Sequence, residues 1–237
     1  METNEELKIK EEAILFAKSH KKEIANKFTD TSLFPPDPLP VSVFMAGSPG
    51  AGKTEFSKRL VEQFEIPNRR VVRIDPDDFR SLLPNYNGTN SFLFQGAVSI
   101  ITDRILDNLF HQKQSFILDG TCSHYNPAVK NIERSLNHNR RIYLFFVYQH
   151  PKTAWGITKI REQKEGRNIS KEIFIEEFLS AQETVTRLKE KFKEKIILNF
   201  VDKETLKETV YFQSDVDSIS EALSDKFTKE ELYSILK

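Results

Sequence analysis

Glycine is scarce in this sequence, with only eight residues among 237. Cysteine is scarcer still: the single Cys122 cannot build a disulfide framework, which favours a reducing compartment. The five histidines are scattered without the spacing of metal ligands. The apolar runs fall short of the about 18 residues that a membrane span needs. The chain begins with the polar segment METNEELKIKEE, which lacks the apolar core of a signal peptide. We therefore expect a cytoplasmic protein.

An excess of charge of either sign is also absent. Lys+Arg and Asp+Glu number 35 each, which gives a formal net charge of zero. A domain that binds nucleic acid is usually basic, so the composition argues against a nucleic-acid partner. With 38% hydrophobic and 30% charged residues, the composition indicates a soluble globular protein that is long enough to bury a sizeable core.

Short, almost wholly apolar segments alternate along the chain with helical patterns. The apolar segments are typical of strands buried on both faces of a parallel sheet, and they occupy 41–46, 71–74, 116–119, 142–148 and 196–201. Helical patterns occupy 4–28, 53–64, 77–83, 92–110, 127–137, 153–164, 171–191 and 228–236. This alternation predicts an α/β fold with a parallel sheet flanked by helices.

Proline marks the boundary between the first helix and the first strand. The segment FPPDPLP at 34–40 ends the helix, because proline cannot continue one. We expect an N-terminal helix in 1–33, a proline-rich linker at 34–40, one α/β domain over 41–215 and a C-terminal helical extension over 216–237.

Three of the eight glycines lie in one short loop between the first strand and the next helix. The loop matches the pattern G-x-x-x-x-G-K-[ST], in which glycine lets backbone N–H groups approach a phosphate chain closely. The matching residues are Gly47, Ser48, Pro49, Gly50, Ala51, Gly52, Lys53 and Thr54. In this pattern the Lys53 ammonium reaches the β- and γ-phosphates and the Thr54 hydroxyl binds Mg²⁺, so we expect ATP with Mg²⁺. The loop also assigns the α/β fold to the P-loop NTPase or kinase-like class.

Three carboxylates follow the second strand, in the segment RIDPDDFR at 73–80. One interpretation is helix capping, because Asp75 is a good N-cap residue and Asp77 and Asp78 favour the positive end of a helix. The other is that one of the three accepts the proton of a substrate hydroxyl, since ligands gather at the carboxyl ends of such strands. The residues alone leave open which of Asp75, Asp77 and Asp78 is that base, and Asp75 is also a candidate for substrate binding.

Two further groups of polar residues fit a phosphoryl-transfer site. Asp119 and Thr121 end the next strand in FILDGT, where Asp119 suits a second-shell magnesium ligand or an acceptor for a substrate hydroxyl, although turn geometry alone also explains the pair. Arg161 and Arg167 flank a charged helix end that breaks at Gly166. Mobile arginines can stabilise transferring phosphates, whereas a charged stretch is more often only a solvated surface.

Four motifs taken together resemble the zeta toxin family of P-loop kinases. In chain order they are GSPGAGKT after an apolar strand, IDPDDFRSLLPNY, LDGT, and EGRNIS at the end of a helix that carries arginine. The glycine loop alone is generic, whereas the ordered set at these spacings is much more specific. The resemblance is clearest over residues 39–191.

The resemblance implies ATP-dependent phosphorylation of a sugar hydroxyl, with UDP-N-acetylglucosamine as the well-known family substrate. It implies that Lys53 and Thr54 serve the phosphates and the magnesium ion, and that Asp77 is the general base. Family toxins are often held inactive by a small helical antitoxin. Because the segment before the prolines looks too short for a fused antitoxin, we expect any such partner to be a separate chain.

The same resemblance assigns the remaining candidates. Asp119 and Thr121 match an EGT-type substrate motif, with aspartate where some members have glutamate. Arg161 and Arg167 match the two arginines that clamp the phosphates. The shorter carboxylate at position 119 bears on the sugar substrate more than on the phosphoryl transfer itself.

Other functions share parts of this pattern. Another small-molecule kinase, or a kinase of nucleic-acid 5′-hydroxyls, would have the same fold and most of the motifs. A nucleotide-dependent regulatory module would have the glycine loop without needing the acidic cluster after the second strand. The identity of the acceptor separates these functions, and a fold does not determine it.

Overall fold

The computed structural model describes residues 3–64, 70–166, 168–203, 211–223 and 225–237. Within them one sheet contains β1 (Val41–Ala46), β2 (Val71–Ile74), β3 (Ser115–Leu118), β4 (Arg141–Tyr148), β5 (Ile197–Asp202) and β6 (Tyr211–Gln213). Their order in space is β2-β3-β1-β4-β5-β6. The first five strands are parallel, and β6 runs antiparallel beside β5. The carboxyl ends of the parallel strands therefore meet at one edge of the sheet.

The described helices connect and cover these strands. They are α1 (Asn4–Phe28), α2 (Lys53–Phe64), α3 (Gln95–His111), α4 (Tyr125–Asn137), α5 (Pro151–Glu165), α6 (Lys171–Phe192), α7 (Ile219–Ala222) and α8 (Lys229–Ile235). The predicted α/β class with a mostly parallel, helix-flanked sheet is confirmed. No helix in the described part of the chain combines the length and the apolar character needed to cross a membrane.

Local structure differs from the sequence expectation in a few places. The predicted helix at 77–83 is a 3₁₀-helix over Pro76–Leu82, in which the Asp78 N–H donates to the Asp75 carbonyl oxygen at 3.0 Å. The helix predicted from residue 92 begins as a separate 3₁₀-helix over Ser91–Phe94 and becomes α-helical at Gln95. Strand β6 and helix α7 have no periodic pattern of their own in the sequence, because three or four residues are too few to show one.

The sheet separates two hydrophobic cores. All six residues of β1 are buried, and alternate side chains enter opposite cores, as the pleat of a strand requires. Phe44 contributes to the larger core and Val43 to the smaller one. Helix α2 covers the smaller core through Leu60, whereas α1, α3, α4, α5 and α6 contribute to the larger core. Strand β1 is therefore enclosed on both faces, which fixes the point where the glycine loop begins.

Helix α1 is part of the larger core. It begins with a capping box, in which the Thr3 N–H donates to the Glu6 carboxylate at 2.7 Å and the Glu6 N–H donates to the Thr3 hydroxyl at 3.2 Å. Ala13 and Ala17 are fully buried, and the helix packs along α3. The following prolines run past Asp37, whose carboxylate accepts a hydrogen bond from the Ser115 hydroxyl at 2.6 Å. This segment is thereby attached to the start of β3.

Candidate active site

The glycine loop joins the end of β1 to the start of α2. Its three glycines have backbone φ angles of +133° at Gly47, +73° at Gly50 and +85° at Gly52, a region that L side chains rarely adopt. A Cβ on Gly47 would lie 2.2 Å from the Val147 carbonyl oxygen, and one on Gly50 would lie 2.1 Å from that of Ala154. The concentration of glycine here therefore has two causes, the backbone conformation and the close approach of β4 and α5.

The Lys53 side chain bends back into this loop. Its Nζ donates to the carbonyl oxygens of Gly47 at 2.9 Å and Ser48 at 2.7 Å. Burial lowers the pKa of Lys53 to about 8, while the charges of Asp119 and Glu177 act in the opposite direction. The lysine of the sequence pattern thus lies inside the loop, facing the acidic residues beyond the sheet.

An arginine joins the carboxylates that follow β2 and β3. Arg73 donates to Asp75 Oδ2 at 2.8 Å and forms a second, very short contact with Asp119. The Ser57 hydroxyl, on α2, donates to Asp119 Oδ2 at 2.8 Å and accepts from Arg73 Nε at 2.8 Å. Burial, reinforced by the charge of Asp119, raises the pKa of Asp75. Asp119 is therefore linked to the helix that carries Lys53.

The three aspartates after β2 have different surroundings. The Asp75 side chain accepts the Asp77 N–H at 3.1 Å, which confirms the N-cap interpretation for Asp75. Asp77 Oδ1 pairs with Arg80 Nη1 at 2.7 Å, and the charge of Asp77 acts on the pKa of Lys53. The side chain of Asp78 is 64% exposed, against 36% for Asp77. Of the three, Asp77 combines a charged partner with influence on Lys53.

Thr121 lies against the start of the glycine loop. The Gly47 N–H donates to the Thr121 carbonyl oxygen at 3.1 Å, and the Thr121 hydroxyl shares a hydrogen bond with the Ser123 hydroxyl at 2.9 Å. The segment after β3 is therefore fastened to the loop through its backbone. The structure thus brings together Lys53, Asp75, Asp77, Asp119 and Thr121 at the carboxyl edge of the sheet.

The two predicted arginines differ in what can be described. Arg161, on α5, pairs with the Glu55 carboxylate at 3.1 Å, and its charge acts to lower the pKa of Lys53. It thus lies beside the glycine loop, on a helix whose Ala154 carbonyl touches Gly50. Arg167 lies outside the described residues, and its role stays a prediction.

Sequence reasoning missed several polar residues of this centre. Glu177 lies on α6, where burial raises its pKa and the charges of Lys53 and His124 oppose that rise. In the sequence it is one of several glutamates on a long amphipathic helix, so only the tertiary fold distinguishes it. Arg73 offered a better signal, because an arginine within the apolar strand VVRI needs a buried partner. Ser57 lies one turn after Lys53 on the same side of α2.

The architecture and this centre together define a class of protein. A parallel sheet whose first strand leads through a glycine loop into a helix, with a lysine inside the loop, is the arrangement of the P-loop kinase-like proteins. The sequence pattern of the zeta toxin family matches residues 24–230. The chain therefore belongs to the zeta toxin family, as the ordered motifs predict.

Solved structures with similar folds have little sequence identity to this chain. A structure from the PezAT chromosomal toxin–antitoxin system of Streptococcus pneumoniae has 15% identity and a TM-score of 0.68, over 99% of this chain and 95% of that one. A chain of the AvrRxo1-ORF1:AvrRxo1-ORF2 complex with ATP has 14% identity and a TM-score of 0.59, and the match covers 96% of this chain and 70% of that one. A chain of the Pnkp1/Rnl/Hen1 RNA repair complex has 19% identity and a TM-score of 0.52, over 67% and 48%. No curated protein matches the sequence closely enough to count as a relative.

Proposed function

We propose that this protein transfers the γ-phosphate of ATP to a hydroxyl of a nucleotide-sugar such as UDP-N-acetylglucosamine. The observation that carries the proposal is the placement of Lys53 inside the glycine loop, with Asp77 and Asp119 acting on its charge. A phosphate-binding cation and candidate acceptor groups thus occupy one centre. Membership of the zeta toxin family supports a phosphotransferase, and a similar fold has been solved with ATP.

The nucleotide would be held by the glycine loop. The backbone N–H groups of Gly50, Gly52, Lys53 and Thr54 would bind the phosphates, and the start of α2 adds the positive end of a helix dipole. On binding, the Lys53 ammonium would exchange the carbonyl oxygens of Gly47 and Ser48 for phosphate oxygens. Since a cation held by two carbonyls is already inside the loop, little rearrangement is needed.

Magnesium fits this set of oxygen donors. Among the described residues, no group of three or more His, Cys, Asp or Glu side chains is placed to hold a metal ion by itself. Mg²⁺ commonly takes one or two protein ligands and completes its shell with phosphate oxygens and water. The Thr54 hydroxyl would supply one ligand, and Asp119, tied to the same helix through Ser57, would orient the shell. The ion would neutralise charge on the phosphates during transfer.

Asp77 is the proposed general base. Asp75 is occupied by its bonds to Arg73 and to the Asp77 N–H, and Asp78 is largely exposed. The Arg80 guanidinium, 2.7 Å from Asp77 Oδ1, would hold the Asp77 carboxylate in position. The Asp77 carboxylate would orient the acceptor hydroxyl and take its proton as the phosphoryl group arrives.

The remaining residues would bind the acceptor and the transferring phosphate. Asp119 and Thr121, with Asp75 nearby, would line the acceptor side. Arg161 would leave its exposed partner Glu55 to contact the phosphates, and Arg167 would assist it. We also propose a cytoplasmic location and a separate antitoxin partner, which family membership and the PezAT toxin–antitoxin neighbour support.

The test is a product analysis. The purified protein is incubated with ATP, Mg²⁺ and a panel of nucleotide-sugars, and the products are identified by mass spectrometry. We expect ADP and a singly phosphorylated nucleotide-sugar in equal amounts. ATP hydrolysis without any phosphorylated sugar would overturn the nucleotide-sugar assignment and favour a regulatory module. A panel with added 5′-hydroxyl oligonucleotides distinguishes the nucleic-acid kinase from the sugar kinase.

A further inference from the structure

Lys203 lies against the glycine loop, although no sequence motif includes it. It follows β5 directly, and its backbone N–H donates to the carbonyl oxygen of Tyr148, the last residue of β4, at 3.2 Å. Lys203 is therefore held at the same edge of the sheet as the glycine loop. A Cβ built on Gly52 would lie 2.2 Å from Lys203 Nζ and 3.1 Å from Cδ and Cε. The ammonium thus rests against the glycine that precedes Lys53.

Glu55, in the first turn of α2, lies near two cations, Arg161 and Lys203. Burial acts to raise the pKa of Glu55, but its own backbone N–H, followed by the charges of Arg161 and Lys203, lowers that pKa below its usual value. Glu55 is thus one carboxylate facing two cations. Its side chain is 55% exposed, and exposed ion pairs of this kind contribute little and exchange readily. A phosphate could replace Glu55 as the partner of either cation.

Helix geometry places this cluster away from the acceptor side. Successive residues of an α-helix are about 100° apart, so Glu55 points about 200° away from Ser57. Ser57 contacts Asp119, which marks the acceptor side of the helix. A phosphate chain that crosses the start of α2 with its terminal group towards Asp77 would therefore meet Lys203 with its opposite, nucleoside-bearing end.

We propose that Lys203 is a nucleotide-binding residue whose ammonium contacts the non-transferred phosphates of ATP, nearest the nucleoside. This inference rests on the proposed use of the glycine loop for ATP. In the free protein the ammonium covers Gly52 and faces Glu55, and on binding it turns to a phosphate oxygen. Lys203, directly after β5, thereby adds a side-chain cation to a loop that otherwise binds through backbone N–H groups and Lys53.

The test compares ADP affinities by titration calorimetry in the presence of Mg²⁺. For Lys203→Ala we expect affinity to fall about tenfold or more, as for the loss of a charge-assisted hydrogen bond. Lys203→Arg should retain affinity within about threefold, because it keeps a cation of similar reach. The matched control is Lys195→Ala, which removes the same charge from an exposed residue before the same strand, about 20 Å away. It should bind ADP as the wild type does, since such a distance exceeds the screening length of about 10 Å.

The outcomes separate this inference from the proposed function. If the wild type binds no ADP or ATP, the proposed function itself fails. If the wild type and Lys203→Ala bind ADP equally well, or if Lys195→Ala weakens binding as much as Lys203→Ala, only the role of Lys203 is overturned. Thermal unfolding without nucleotide shows whether Lys203→Ala is folded. If Lys203→Ala unfolds at a lower temperature than the wild type, ADP binding is measured with Lys203→Gln, which keeps a polar side chain without the charge. We expect the same loss of ADP affinity in Lys203→Gln. Wild-type affinity in that variant would overturn the inference.

Discussion

At the scale of single residues, the proposed nucleotide binding depends on Lys53, which is both buried and surrounded by charged groups. The pKa of Lys53 is lowered by burial and, less strongly, by Arg161, while Asp119 and Glu177 favour the ammonium. In the free protein the ammonium is held by two loop carbonyls. Such an environment keeps a cation inside the loop at neutral pH but leaves it close to losing its proton.

This balance predicts how nucleotide affinity depends on pH. Bound phosphates favour the Lys53 ammonium, whereas the free protein loses that proton above a pH of about 8. Above that value, ADP affinity should therefore fall by up to about tenfold for each pH unit. Calorimetric titrations over roughly pH 7 to 9.5 measure this dependence of ADP affinity on pH. The control Lys53→Met should bind ADP weakly, with little dependence on pH. An affinity of the wild type that stays constant over this range would contradict the assigned role.

Glu177 provides a second prediction at this scale. Its negative charge favours the Lys53 ammonium, so Glu177→Gln should lower the pKa of Lys53 further. The loss of ADP affinity should then begin at a lower pH than in the wild type. The matched control is Glu176→Gln, which makes the same change at an exposed neighbour on α6 and should not move the onset. Equal onsets in both variants would exclude Glu177 from the electrostatics of the site.

At the scale of elements, the unit that matters is β1, the glycine loop and α2. The structure has β1 over Val41–Ala46 and α2 over Lys53–Phe64, the same bounds that the sequence predicts. The prediction succeeds here because three signals agree: an apolar run, a glycine cluster and an amphipathic period. The close contacts of the loop with β4 and α5 could not be predicted, since those elements are about a hundred residues away in the chain.

The loop contacts predict a difference between two glycines. Gly50→Ala would press a methyl group against the Ala154 carbonyl oxygen at a φ of +73°, whereas a Cβ on Gly156, on α5, meets nothing within 4 Å. Gly50→Ala should lower the free energy of unfolding by more than about 1 kcal/mol and weaken ADP binding. Gly156→Ala should be neutral or stabilise by up to about 1 kcal/mol. Urea unfolding and ADP titration measure both. Equal stability of the two variants would argue against a strained loop.

At the scale of the whole molecule, α1 and the sheet share one core. Ala13, Ala17 and Ala25 are fully buried, and Ala13 and Ala17 belong to the same cluster as Phe44 of β1. The Asn108 amide of α3 also donates to Asn26 at 3.1 Å. Helix α1 is therefore expected to unfold together with the sheet.

This predicts that damage to α1 destabilises the entire protein. Ala17→Asp would bury a carboxylate in the apolar core, where no described group is arranged to pair with it. It should lower the free energy of unfolding by about 3 kcal/mol or more. Leu15→Asp is the matched control, because Leu15 is 65% exposed on the same helix, and it should change stability little. Urea unfolding followed by fluorescence of Trp155, on α5, reports the effect at a distant element. An unchanged midpoint for Ala17→Asp would mean that α1 folds independently.

The sequence predicts the fold and the main site residues to different extents. The five parallel strands are found within one residue of their predicted bounds, because segments buried on both faces leave a clear apolar pattern. The loop, Lys53, Asp77 and Asp119 carry local motifs. Glu177 and Lys203 carry none, because their positions follow from how α6 and the end of β5 pack against the loop. Residues brought to the site only by tertiary packing cannot be predicted from spacing.

The proposed function requires that Asp77 and Lys53 belong to one catalytic centre, in which Asp77 serves the acceptor. The most direct measurement compares Asp77→Asn with Asp78→Asn, its exposed neighbour, for both ADP affinity and phosphoryl transfer. We expect Asp77→Asn to bind ADP within about threefold of the wild type but to transfer phosphate about a hundredfold or more slowly. Asp78→Asn should match the wild type in both. Undiminished transfer by Asp77→Asn, or an equal loss in both variants, would contradict the claim.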